Sequence, residues 1–119
     1  MKIATFISIS FLSAITTFGQ VSGKIIDLKF IQLPKDWHEV SFTHLDKKGV
    51  FLVSANKEAG QVDAIKIVAE KGGKTRLKLP FKAHFFQTRK GVTIKLLANN
   101  MLELTFEKGG ELVVRNGYE

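Results

Sequence analysis

Met101-Leu102-Glu103-Leu104-Thr105-Phe106 alternates apolar and polar side chains one by one. Successive side chains of an extended chain point to opposite faces, so Leu102, Leu104 and Phe106 share a buried side and Glu103 and Thr105 a wet one. The same period of two runs through Leu77 and Leu79 against Arg76 and Lys78, and through Leu112 and Val114 against Val113 and Arg115. Beyond residue 19, no stretch sustains a helical period of 3.6 over three turns.

Working outward, the chain divides into short β-prone runs separated by turn residues. These runs are Lys24–Leu33, Glu39–Leu45, Gly49–Ala55, Gln61–Glu70, Lys74–Leu79, Ala83–Thr88, Val92–Ala98, Met101–Phe106 and Glu111–Arg115. Pro34 stops the first, because proline offers no ladder donor. Asp46-Lys47-Lys48, Ala59-Gly60 and Asn99-Asn100 read as turns, since Gly and Asn tolerate the backbone a tight hairpin needs. Glu70-Lys71-Gly72-Gly73 recurs as Glu107-Lys108-Gly109-Gly110, each between two β-prone runs, and predicts two equivalent hairpin tips. Eight or nine short strands at this spacing predict an all-β domain, an antiparallel two-layer β-sandwich.

The N-terminus reads differently. Met1-Lys2 gives a positive start, Ile3 to Phe18 is free of charge, and Thr17-Phe18-Gly19 ends the run with small first and third residues. This is the pattern of a cleaved signal peptide, forming a leader helix over 1–19 before a domain at 20–119. The run is shorter than the roughly 20 apolar residues of a membrane span. The expected location is therefore periplasmic or extracellular in a bacterium, with no membrane attachment after cleavage. The chain of 119 residues has no cysteine, so disulfides cannot support the fold. The net charge of +7 is scattered, densest at Lys47-Lys48, at Lys71, Lys74, Arg76 and Lys78, and at Arg89-Lys90. One Trp and one Tyr argue against base stacking, and no nucleic-acid partner is expected.

Catalytic chemistry finds no foothold. A glycosidase needs two carboxylates opposed across a sugar, most of the acids here fall at turns or on wet strand faces, and nothing in the sequence converges two of them. His38, His44 and His84 lack metal-ligand spacing, so neither metal nor cofactor is expected. No serine after the leader sits in a nucleophile elbow, and no glycine pattern cradles phosphate. No catalytic residue is assigned. Trp37, after Pro34-Lys35-Asp36, is the most distinctive residue, either a sugar-stacking platform or an anchor that plugs the end of the sandwich or docks on a neighbouring domain. Phe85 and Phe86 point to opposite faces if extended. The residues expected to bind are Trp37, His38, Phe51, Phe85 and Phe86.

Several of these segments resemble the C-terminal domain of glycoside hydrolase family 95 α-L-fucosidases. Leu33-Pro34-Lys35-Asp36-Trp37 matches that domain's apolar strand ending in Leu-Pro, with a Trp shortly after. In His44-Leu45-Asp46-Lys47-Lys48-Gly49-Val50-Phe51-Leu52-Val53, residues Leu45, Gly49, Phe51 and Val53 match its Gly-Leu-x-Ala-Arg-Gly-Gly-Phe-x-Val segment, and Lys48 keeps the charge. Gly60, then Val62, Ile65 and Ile67, then Gly72-Gly73 continue the likeness. His44 and Val50 stand in place of glycines and Lys47 in place of a small residue, so the loop there departs from the family. In that family the catalytic groups lie in a helical barrel ahead of the sandwich, and no such barrel fits in this chain. The resemblance implies a non-catalytic accessory domain in a carbohydrate-processing context, docking on a partner hydrolase or another envelope protein through Trp37 and the Leu45–Phe51 loop. The alternative is a carbohydrate-binding module for fucosylated or related glycans.

Overall fold

The computed structural model describes residues 15–29, 31, 33 and 36–117. They form eight strands: β1 (Ile15–Ser22), β2 (Ile25–Ile26), β3 (Glu39–Asp46), β4 (Gly49–Glu58), β5 (Gln61–Ala69), β6 (Gly73–Lys78), β7 (His84–Leu97) and β8 (Met101–Asn116). The fold is all-β. All eight belong to one hydrogen-bonded sheet in the order β1-β3-β4-β5-β8-β6-β2, with β7 along the free side of β8. Most pairs are antiparallel, but β1 runs parallel to β3 and β2 parallel to β6. The sheet therefore curls into a small barrel with an outer flank, where the alternation suggested two separate antiparallel layers.

The leader expected over 1–19 lies mostly outside the described residues. Within them, Ile15–Ser22 is strand rather than helix, paired from Ile15↔Glu39 to Ser22↔Leu45. Its register slips between Thr17 and Gln20. The expected long strand Lys24–Leu33 contracts to Ile25–Ile26, because a turn follows in which Lys29 N donates to Asp27 Oδ1 at 3.0 Å. Alternation alone cannot see such a turn.

The hairpins follow turn chemistry. β4 and β5 join through Ala59 and Gly60 at φ +52° and +81°, the left-handed pair of a two-residue hairpin. Asn99 and Asn100, at +62° and +59°, close the long β7–β8 hairpin. Asp46 Oδ1 accepts from the Lys48 amide at 3.2 Å and tightens the β3–β4 tip.

The echoed Glu-Lys-Gly-Gly segments are not equivalent hairpin tips. β5 and β6 do not pair with each other; both pair antiparallel with β8, β5 through Ala69↔Gly110 and β6 through Gly73↔Phe106. Residues 70–72 and 107–109 therefore lie side by side at one bend. The Gly109 amide donates to the Glu70 carbonyl across it at 3.1 Å. β7 slips register at the same level, between Lys90 and Val92, where Gly91 has φ +59°. The β5–β6 connection and the continuous strands β8 and β7 thus turn one corner together, and such a bend lets one sheet cover both sides of a core. The corner also brings Gly73 against Gly49, their pairing joining β6 to the start of β4.

The core fills the curl. Phe42, Phe51, Val53, Ile65, Ile67, Leu112 and Val114 form one buried cluster with Ile26, Leu77, Leu102, Leu104 and Phe106. Phe51 meets Phe106 with ring centroids 5.7 Å apart. Burying each such side chain contributes about 2 kcal/mol. One charged pair reaches the core edge: Arg115 Nη2 donates to the buried Asp63 Oδ2 at 2.5 Å while Nη1 donates to Gln87 Oε1 at 2.9 Å, tying β5, β8 and β7.

Candidate functional site

The five residues expected to bind do not form one platform. Trp37 is buried, and Lys57 Nζ stands 4.6 Å over its ring, so its faces are not open to a sugar. It works as an anchor at the entry to β3, where the Lys57 amide donates to the His38 carbonyl at 2.8 Å. The His38 side chain is exposed. Phe51 is 0% exposed and belongs to the core. It lies six residues along β4 from Lys57, about 20 Å at the rise of a strand. Phe85 and Phe86 take opposite faces of β7: Phe85 is 51% exposed, and Phe86 packs edge-on to His84 at 5.2 Å under Arg89.

The surface gathers instead around the β3–β4 hairpin. β4 alternates cleanly, so Val50 and Leu52, on either side of Phe51, must face outward. Val50 is 50% and Leu52 42% exposed on that outer face. Register sets half-buried Leu45 opposite Val50 and half-buried Val68 opposite Leu52. The four make a continuous apolar patch ending at the tip lysines, Lys47 and Lys48.

Beside that tip opens a cleft of about 980 Å³. The Ser22–Ile25 turn and the Leu45–Lys48 tip wall it, with Lys74, Thr75 and Arg76 of β6 and Glu103 of β8. The β6 wall is held to the tip by the Lys74 amide, which donates to the Lys48 carbonyl at 3.1 Å. Five cations line the cleft against two carboxylates. Glu103 pairs with Lys74 at 3.8 Å and with Arg76 at 3.5 Å. Asp46 Oδ2 accepts from the Thr75 hydroxyl at 3.2 Å. Lys24, Lys47 and Lys48 make no ion pair within the described residues, so the cleft carries a positive field.

His44 stands behind this wall. It is buried beside Phe51, its ring centroid 6.2 Å away, and neither ring nitrogen makes a hydrogen bond of ordinary geometry within the described residues. A Cβ added at Gly23 would lie 3.9 Å from His44 Cε1. Burial pushes its pKa below the usual histidine value, offset in part by the Asp46 charge and the nearby Gly23 backbone.

Among the described residues, no three or more His, Asp or Glu side chains are grouped to hold a metal ion. No described helix is long and apolar enough to cross a membrane. The sequence marked Lys47-Lys48 and the Lys71–Lys78 group as dense in charge, but not that they share a cleft. Their common signal is a glycine beside each, Gly49 and Gly73, which the fold pairs. Comparison with known protein families, with curated proteins and with solved structures finds no match to this chain.

Proposed function

We propose that this chain is an exported, non-catalytic accessory module that docks on a hydrolase or another envelope protein through the outer face of its β3–β4 hairpin. The observation that carries the reading is the patch of exposed Val50 and Leu52 flanked by half-buried Leu45 and Val68, on the outside of a sheet whose inner face is already filled. Exposed contiguous apolar surface of this kind marks interaction sites. Its basic end at Lys47 and Lys48 selects a partner surface with an apolar centre and an acidic rim. Resemblance to the C-terminal domain of family 95 α-L-fucosidases supplies the hydrolase context, and in that family this domain packs against another. The docking segment remains the Leu45–Phe51 hairpin, with Val50 and Leu52 as its contacts in place of Trp37.

Residues 1–19 act as the export leader, whose cleavage leaves Gln20 as the new N-terminus. The cut falls where β1 slips register, so Gln20, Val21 and Ser22 keep their pairs with Thr43, His44 and Leu45.

The test is crosslinked capture from the envelope of the native host, comparing the native chain with Leu52→Asp. A hydrolase or other envelope protein captured by the native chain and lost with the folded variant supports docking. Capture unchanged in Leu52→Asp, or a chain with no envelope partner, refutes it. Intact mass of the exported protein checks the cut, and a chain retaining residues 1–19 contradicts it.

A further inference from the structure

The cleft beside the docking face has a chemistry that an apolar interface does not use. We infer that it is a binding site for an acidic oligosaccharide, one carrying carboxylate or sulfate groups together with free hydroxyls. The inference does not depend on the docking reading.

Three features of the cleft select this ligand. The first is charge. Lys24, Lys47 and Lys48 reach it from the β1–β2 turn and the hairpin tip, and none is neutralised by a described carboxylate. Their ammonium groups supply point charges suited to carboxylate or sulfate oxygens. The second is the pair of acids. Asp46 and Glu103 line the same space, and each carboxylate has more acceptor positions than the Lys48 amide, Thr75, Lys74 and Arg76 occupy. A ligand made only of acceptors, such as a polyphosphate, gains nothing from them and is repelled. A sugar's hydroxyls donate to them. The third is Ile25, 40% exposed at the cleft wall, which offers apolar surface to the C–H face of a sugar ring. A volume of about 980 Å³ accommodates a short oligosaccharide.

The walls come from segments far apart in sequence, and backbone contacts fix them. The Gly23 amide donates to the Leu45 carbonyl at 3.0 Å, and the Lys74 amide to the Lys48 carbonyl at 3.1 Å. The turn, the tip and β6 therefore hold one shape before any ligand arrives, which lowers the ordering cost of binding.

The experiment is isothermal titration of the full chain with an oligogalacturonate, a sulfated oligosaccharide, a neutral galactose oligomer, inorganic pyrophosphate and a short poly-glutamate. At least one acidic sugar is expected to bind at low salt, with the neutral oligomer silent. Affinity should fall about tenfold as salt rises from about 50 to about 200 mM, as charge neutralisation by a few lysines requires. Lys24→Glu and Lys48→Glu should each weaken binding at least about tenfold, while Lys82→Glu, exposed in the loop between β6 and β7 and outside the cleft lining, changes nothing. Lys24→Ala and Lys48→Ala serve where a reversal unfolds the chain. Comparison of the two acidic sugars separates carboxylate from sulfate preference, and either result upholds the site. Silence with both, binding untouched by the cleft substitutions, or tighter binding of pyrophosphate or poly-glutamate overturns it. Tighter binding of poly-glutamate would reassign the cleft to an acidic peptide, and tighter binding of pyrophosphate to a phosphate ligand.

Discussion

Glu70-Lys71-Gly72-Gly73 and Glu107-Lys108-Gly109-Gly110 have the same four residues and lie side by side at one corner, yet their glycines do different things. In the first, both are hemmed in. A Cβ on Gly72 (φ +78°) would lie 3.0 Å from the Phe106 carbonyl oxygen, and one on Gly73 (φ +137°) would lie 2.5 Å from the Lys48 carbonyl oxygen. In the second, Gly109 (φ +80°) has nothing within 4 Å, while Gly110 is crowded at 2.6 Å by the Gly91 carbonyl oxygen. Identical local sequence thus meets different neighbours. The first copy closes the barrel against β4; the second bends a strand between β5 and the outer flank. Local composition sets which backbone shapes are open, and tertiary packing decides why each is needed.

Substitution separates these roles. Gly73→Ala combines a disfavoured φ with a clash against the Lys48 and Gly49 backbone across the closure, and should cost about 4 kcal/mol in a denaturant titration. Gly110→Ala meets backbone too, but at an ordinary φ and against edge strand β7, which can shift; about 2 kcal/mol is expected. Gly109→Ala has open space and carries only the left-handed backbone cost, about 1 kcal/mol. Equal losses at Gly73 and Gly109 would break the distinction between closure and bend.

His44 probes the same closure through Phe51, whose ring also crowds Gly49 and Gly73. Because its folded pKa is depressed, the unfolded chain binds more protons below the ordinary histidine value of about 6.5. Its contribution to stability is full above that pH and is lost as pH falls through the folded value. His44→Leu should remove this slope in the pH range just below about 6.5. At neutral pH it should raise stability by less than about 1 kcal/mol, since two buried nitrogens with no hydrogen bond of ordinary geometry among the described residues disappear. Parallel pH dependences for the native and variant chains would refute the assignment.

Much of the fold was legible. Period-two alternation picked out Leu77, Leu79, Leu102, Leu104, Phe106, Leu112 and Val114, and all are buried. Turn chemistry located the tips at Asn99-Asn100 and Ala59-Gly60. What escaped was long-range. Nothing local distinguishes a hairpin tip from a corner, so each Glu-Lys-Gly-Gly read as a tip. Parallel pairing of β1 with β3 and of β2 with β6 leaves no local signature either. The aromatic residues misdirected the search for a site: Trp37 and Phe51 are distinctive because they anchor the core, whereas the exposed surface is made of Val50 and Leu52. The cleft needed Lys24, Lys48 and Arg76 brought together across the barrel, a placement only the fold supplies.

The docking face and the cleft both depend on the β3–β4 tip being held against β6. Hydrogen exchange at the Lys74 amide reads that contact directly, because its proton goes to the Lys48 carbonyl across the closure. A closed barrel predicts slow exchange at Lys74, comparable with the amides of β5 and β8 in the core. Exchange at Lys74 as fast as at the exposed Lys47 tip would mean that the tip swings free, and it would contradict the closed barrel and the cleft together.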